Sequence, residues 1–327
     1  MLKTIHVVPL AAESFGVRSM CTHVETPDVR ILLDAGVSLC PYRFGLLPHP
    51  IEFKAIEECR KRIAEKAEKA KVMTLSHYHF DHHTPAFEDW LCNWTAAVET
   101  AKQIYENKTV LVKNPKEDIN FSQRRRGWLF KKTSGKIAKR IEVADNKTFI
   151  FGKTQVKFSE PVFHGPENSM LGWVLMATIT YEEEKFMFAP DVQGPMSPHT
   201  LNLILAEKPS LLMIGGPPSY LAQFKVSDEQ IKLGLENLEK IIAAIPMVIL
   251  EHHLLRDGEW LEKARSILQK SIESGHKVLT AAEFSGRKNL FLEASRQRLF
   301  ADYPPSKEFV NWTRKDDMIK KKTKPPI

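Results

Sequence analysis

The chain is 327 residues long, 43% hydrophobic and 27% charged, with a formal net charge of +7. That is a globular composition, and no apolar run approaches the ~20 residues needed to span a bilayer. Residues 1–10 are too short and broken for a signal peptide, so a cytoplasmic location with no membrane partner is expected. Four scattered cysteines (Cys21, Cys40, Cys59, Cys92) form no Cys-x-x-Cys pair, so neither a thiolate zinc site nor a redox motif is indicated. The positive balance suits an anionic substrate or nucleic acid, and equally a plain solvated surface.

In chain order, residues 5–9, 20–24 and 29–34 read as strands, with a turn at Thr26-Pro27-Asp28. Asp34-Ala35-Gly36 closes the third. A carboxylate there can anchor loop amides or hydrogen-bond a metal-bound histidine, and the sequence leaves both open. Residues 39–50 are irregular and contain Arg43 and His49. Pro50 can begin a helix over 51–71, with Phe53, Ile56, Ile63, Ala67 and Ala70 at helical spacing. Strand, helix, strand is a βαβ signal.

That helix leads into Val72-Met73-Thr74-Leu75, a buried strand, and then into Ser76-His77-Tyr78-His79-Phe80-Asp81-His82-His83. Imidazole and carboxylate suit zinc and similar divalent ions. Residues two apart in an extended segment point the same way, so His77 and His79 can bind one ion as a pair. Asp81 and His82 lie just beyond and could aim at a second. A lone histidine is more often a packed or surface residue. A His-x-His-x-Asp-His order after an apolar run fits that plainer reading poorly. The motif still supplies too few ligands for two closed sites, so others must come from elsewhere.

Residues 87–106 read as a helix carrying Trp90, Leu91, Trp94, Val98 and Ile104, and 109–112 as a strand. Residues 122–132 are the most basic patch, with Arg124-Arg125-Arg126 beside Trp128 and Phe130. Arginine forks there could hold phosphate. The plainer reading is a solvated helix face with both aromatics packed inward. Strands return at 148–151, 155–161, 170–180 and 185–190. His164 and Asp191 each follow a strand, although taken alone each is more often a loop residue. A short helix (201–207), a strand (211–214) and a rigid loop from Gly215 to Tyr220 come next. Ser227-Asp228-Glu229-Gln230 is a capping box opening a helix. Strand 248–250 ends in Glu251-His252-His253, helix 257–274 stops at Gly275, and 277–279 is a last strand. A single domain over 1–310, an insertion at about 84–146 and a loose basic tail over 311–327 are expected.

Every candidate ligand follows an apolar strand, where α/β ligand sites form. Asp34, the His77-x-His79-x-Asp81-His82 signature, His164, Asp191 and His252, in that order, resemble the metallo-β-lactamase superfamily over residues 4–280. More narrowly, the chain looks like an uncharacterised archaeal family of predicted metal-dependent hydrolases. The resemblance implies an α/β fold, a four-layer αββα sandwich, here with a helical basic insertion. It implies that His77, His79 and His164 bind a first ion, Asp81, His82 and His252 a second, and that Asp191 bridges them. Asp34 would support them from behind. His252 is preferred to His253 as the first histidine after its strand.

Two zinc ions are expected, with manganese or iron allowed by the same ligands. A hydroxide between them would attack a carbonyl or phosphoryl centre, and Asp81 would also take up a proton. The leading expectation is a hydrolase for an ester, lactone or phosphodiester of an anionic small molecule, with Arg43, His49, Arg124, Arg125 and Tyr220 as substrate contacts. A ribonuclease is the first alternative, disfavoured because core elements fill the stretch between Asp191 and His252. A non-catalytic metal-binding protein is the second. A di-iron reductase ranks last, because its usual acidic replacement is absent at His79.

Overall fold

The computed structural model of the chain describes residues 2–222 and 226–327. Its frame is two facing sheets. The first runs β1 (His6–Pro9), β2 (Thr22–Glu25), β3 (Arg30–Leu33), β4 (Val72–Leu75), β5 (Thr109–Val112) and β6 (Arg140–Val143) in that order. β1 to β3 form an antiparallel meander, and β3 to β6 are parallel. The parallel pairing of β3 with β4 requires a crossover, and α1 (Pro50–Lys69) supplies it.

The second half contributes β7 (Thr148–Phe151), β8 (Thr154–Phe158), the short hairpin of β9 (Val162–Phe163) and β10 (Trp173–Val174), β11 (Ala177–Tyr181), β12 (Glu184–Ala189), β13 (Leu211–Gly215), β14 (Met247–Glu251) and β15 (Lys277–Leu279). The second sheet has the order β15-β14-β13-β12-β11-β8-β7.

Period-two alternation sets the layers. On β12 and β13, Phe186, Phe188, Leu211 and Met213 join the core shared with the first sheet. Met187, Ala189, Leu212 and Ile214 join a separate core under the outer helices. Thr22 of the first sheet donates to the Met213 sulfur of the second at 3.1 Å. On the far side of the first sheet, α1 buries Phe53, Ile56, Ile63 and Ala67, the first three each worth about 1.5–3 kcal/mol when fully removed from water. The order is helix, sheet, sheet, helix, which is the expected four-layer αββα sandwich.

Several expectations need correction. Only α2 (Ala97–Tyr105) of the helix expected over 87–106 forms. The Asp89 carboxylate accepts from the Leu91 and Cys92 amides and from the Asn93 side chain, and such side-chain capture of backbone donors favours turns over helix. Residues 84–146 are not wholly an insertion, since β5 and β6 belong to the first sheet. The rest of that stretch is turns and the helices α2, α3 (Phe121–Lys132) and the single turn α4 (Ser134–Ile137). The strand expected over 170–180 divides where the Leu175 amide bonds the Ser76 carbonyl at 3.0 Å instead.

The stretch 311–327 is not loose. The helices Lys307–Thr313 and Asp317–Lys322 dock it. Phe309 and Trp312 are buried against Phe53, and the Trp312 Nε1–H donates to the Thr323 carbonyl at 3.1 Å. None of the described helices is long and apolar enough to cross a membrane.

Candidate metal centre

The ends of β3, β4, β9, β12 and β14 deliver the predicted residues to one rim. After β4 the chain turns sharply, and the His82 amide donates to the His79 carbonyl at 3.0 Å. That turn sets His82 beside His77 (ring centroids 4.2 Å apart). Gly36 makes the turn possible: a Cβ there would stand 2.1 Å from the His83 backbone nitrogen. Asp34, Asp191 and His252 all adopt left-handed φ angles (47°, 51° and 67°). Such conformations cost non-glycine residues of order 1–3 kcal/mol and cluster at functional sites.

Four overlapping groups of ligand atoms result, each within 4.8 Å: His77, His79, His164 and Asp191; Asp81, His82 and His252; Asp34, His77 and His82; and Asp191, His252 and His253. Asp191 lies between the first two. Its Oδ2 is 3.0 Å from His77 Nε2, 3.0 Å from His164 Nε2 and 3.2 Å from His82 Nε2. Its Oδ1 is 2.9 Å from His252 Nε2, which itself lies 3.5 Å from Asp81 Oδ2. The neighbouring His253 Nε2 is 3.2 Å from Asp191 Oδ1; His253 groups with Asp191 and His252, while the group around Asp81 and His82 takes His252. His83 is the spare histidine of the motif: its Nδ1 pairs with the His79 carbonyl and its ring packs on Phe130.

This donor set fits a cation. Two of its buried atoms, His82 Nε2 and Asp191 Oδ1, and the adjoining His253 Nε2 make no hydrogen bond although polar neighbours stand 2.9–3.2 Å away, an arrangement costly without a compensating charge. Burial and the neighbouring imidazoles hold the His77 pKa well below its ordinary value, and burial also lowers His79. Both rings are therefore neutral and can offer a lone pair. Burial opposes charge on Asp191 and Asp81, but the surrounding histidines prevail and keep both carboxylates ionised. Burial likewise opposes a proton on His82, and Asp191 and Asp34 overcome it. A bound metal would displace that proton.

In four of the five candidate ligand rings the far nitrogen finds a holder. His77 Nδ1 pairs with the Ser76 hydroxyl (3.0 Å), His82 Nδ1 with Asp34 Oδ2 (2.8 Å), His164 Nδ1 with the Gln193 amide (3.2 Å) and His252 Nδ1 with Glu13 Oε1 (3.3 Å). Such partners fix ring orientation and tautomer. Asp34 fills both roles left open by the sequence: it also accepts from the Ser76 amide at 2.8 Å and from the Ser76 hydroxyl. Sequence reasoning missed Glu13, Gln193 and Arg256. Arg256 is buried, pairs with Glu13 at 2.6 Å and lies 3.7 Å from Asp81. The available signals were weak: Gln193 is two residues past Asp191, and Arg256 is one helical turn past His252.

A cavity of about 740 Å³ opens over the cluster, with Arg18, Arg126, Arg256, Lys321 and Tyr220 among its lining. Tyr220 is therefore where it was expected. Arg43 does not line the cavity but stacks on the Tyr220 ring at 4.6 Å. His49 is corrected to a structural role: it is buried at the start of α1, where Nδ1 accepts from the Ile51 amide and Nε2 pairs with the Tyr303 carbonyl. Arg124 and Arg125 are exposed and absent from this cavity; the rotation of α3 presents Arg126 instead.

Two facing sheets under outer helices, with the His-x-His-x-Asp-His loop at the end of β4 and later histidines and aspartate at the same rim, define a metallo-β-lactamase fold whose His/Asp cluster could hold metal. The chain belongs to the UPF0282 family. It is 44% identical over 294 residues to the UPF0282 protein of Methanocaldococcus jannaschii, covering 90% of this chain and 96% of that one. It is 40% identical over 313 residues to the UPF0282 protein of Korarchaeum cryptofilum, covering 95% and 100%. No family model matches the chain. Among solved structures, the metallo-beta-lactamase fold protein YhfI from Bacillus subtilis aligns with a TM-score of 0.49 at 14% identity, covering 88% of this chain and 99% of that one.

Proposed function

We propose that the protein is a metal-dependent hydrolase acting on an ester or phosphodiester bond of an anionic small molecule. The observation that carries this reading is the set of buried, unpartnered atoms around Asp191, which a pair of divalent cations would satisfy. His77, His79 and His164 would hold one ion and Asp81, His82 and His252 the other, with the Asp191 carboxylate between the two groups. Such ions, zinc being the first candidate, supply water activation near neutral pH and polarisation of the scissile bond.

The chain's own side chains do the rest. Asp34, Glu13, Gln193 and Ser76 hold the imidazoles in orientation. Arg256 keeps positive charge beside Asp81 and Glu13. Arg18, Arg126, Arg256 and Lys321 on the cavity wall favour an anionic substrate.

The test is metal content by mass spectrometry together with turnover of bis-p-nitrophenyl phosphate, p-nitrophenyl acetate and a lactone panel. Two ions per chain with ester turnover is the expected result, and His77→Ala should lower both. A protein that takes up no metal on reconstitution would overturn the reading at its base.

A further inference from the structure

A second cavity, of about 390 Å³, adjoins the first. Phe80, Ser122, Arg125, Arg126, Trp128 and Leu129 line it, and Phe80 and Arg126 line both cavities. Phe80 stands inside the metal-binding motif, between His79 and Asp81. The shared wall therefore begins one residue from the candidate ligands.

Two features of this cavity are unusual for a plain solvated face. Arg126 is half-buried, with its guanidinium over the Phe80 ring at 5.1 Å; it forms no direct ion pair among the described residues, and the charge that acts on it is the more distant Asp81 carboxylate. Partial desolvation of an unpaired cation is unfavourable, and an anion placed between the cavities would offset it. Trp128 is 59% exposed, although tryptophan is ordinarily well covered. The expected inward packing applies to Phe130 alone.

The helix bearing these residues is firmly placed. Gln123 bonds the Trp173 backbone in both directions (3.0 and 3.2 Å), and Asn120 reaches the Met170 carbonyl at 2.8 Å. Gly127 sits against Tyr78, where a Cβ would stand 3.0 Å from the ring. The Trp173 and Met170 contacts fall on the hairpin that carries His164, whose amide bonds the Gly172 carbonyl at 2.9 Å. The cavity is thus built onto the same elements as the metal centre.

We propose that this second cavity binds the non-reacting part of the substrate, a phosphate attached to a planar aromatic group, as in a nucleoside monophosphate unit. Arg126, assisted by Arg125, takes the phosphate through a guanidinium fork. The exposed indole of Trp128 stacks on the planar ring, an interaction that tolerates different bases. Neither residue selects this chemistry alone. An unpaired arginine and a bare indole on one cavity wall select an anion joined to a flat aromatic. The proposal takes the reaction from the hydrolase reading and adds what the substrate carries.

The test is calorimetric titration of the metal-loaded full chain with adenosine 5′-monophosphate, inorganic phosphate and adenosine. The monophosphate should bind at least tenfold more tightly than either fragment. Trp128→Ala should weaken the monophosphate about tenfold and leave inorganic phosphate unchanged. Arg126→Gln should weaken the monophosphate and leave adenosine unchanged, with Arg126→Lys between it and the parent. A monophosphate no tighter than phosphate, or equal binding in parent and both variants, overturns the pocket. Because binding is read without turnover, the two readings fail separately. A protein inert to every ester that still gives this pattern keeps the pocket and loses the hydrolase. Ester turnover with a flat nucleotide response does the reverse.

Discussion

Replacing Asp34 with asparagine should weaken metal binding while leaving the fold intact. Asp34 Oδ2 accepts from His82 Nδ1 at 2.8 Å and from the Ser76 hydroxyl, and Oδ1 accepts from the Ser76 amide at 2.8 Å. Asparagine keeps an oxygen for the Ser76 amide but sets an NH₂ group against the two remaining donors. His82 must then turn or change tautomer, and Nε2, which faces Asp191 at 3.2 Å, loses its presented lone pair. Loss of such a partner typically costs 10–100-fold in metal affinity, or about 1.4–2.7 kcal/mol. Asparagine tolerates the left-handed φ of 47°, so the backbone is not the cause. Asp34→Ala should lose metal to a similar degree and also cost about 1–3 kcal/mol of stability, because the Ser76 amide is left buried and unpaired. The assay is competition with a chromophoric zinc chelator, with thermal unfolding of the metal-free proteins alongside. Parent-like affinity in Asp34→Asn would refute the orienting role and leave Asp34 as a turn-former only.

Three further outcomes are expected. Burial pushes the His23 imidazole down to about 4, and both its ring nitrogens are unpartnered. Unfolded histidine takes its proton near 6.5, so below that pH the unfolded chain binds the extra proton and stability falls down to about pH 4. His23→Phe should remove up to about 1.4 kcal/mol per pH unit of that loss, and a parent–variant difference that stays flat from pH 6.5 to 4 in urea titrations would refute it. Trp312→Ala should cost about 3–5 kcal/mol and lower Tm by about 4–7 °C, whereas a loose tail would make it silent by calorimetry. Glu52→Gln keeps the α1 cap but breaks the buried fork to Arg296, whose Nε and Nη2 donate to it at 2.8 Å each; denaturant unfolding should show a loss of about 3–5 kcal/mol, and a loss under 1 kcal/mol would show the pair to be dispensable.

The histidines and aspartates that gather at this rim were legible because each follows an apolar strand, and parallel strands bring their ends to one rim. Their supports were not. Glu13 lies in the single turn Glu13–Phe15, far in sequence from His252, and no pattern links the two. The same limit applies to Gln193 behind His164. His49 misled for the opposite reason: a histidine in a proline-rich loop resembles a binding residue, while its work is to cap α1.

The basic patch shows where periodicity loses its force. Three consecutive arginines differ in direction by about 100° per residue on a helix, so only the phase of α3 decides which one reaches the site. Phase is normally read from an apolar stripe. Here the inward positions are Gln123, Gly127 and Phe130, of which only the last is apolar. Gln123 faces inward to bond the Trp173 backbone, and Gly127 does so because Tyr78 leaves no room for a side chain. Those causes lie in the partner elements, on the strand that carries the metal motif and the hairpin that carries His164. The rotation of α3, which places Arg126 rather than Arg124 or Arg125 at the cavity over the cluster, is thus set by the same two segments that build the candidate metal centre.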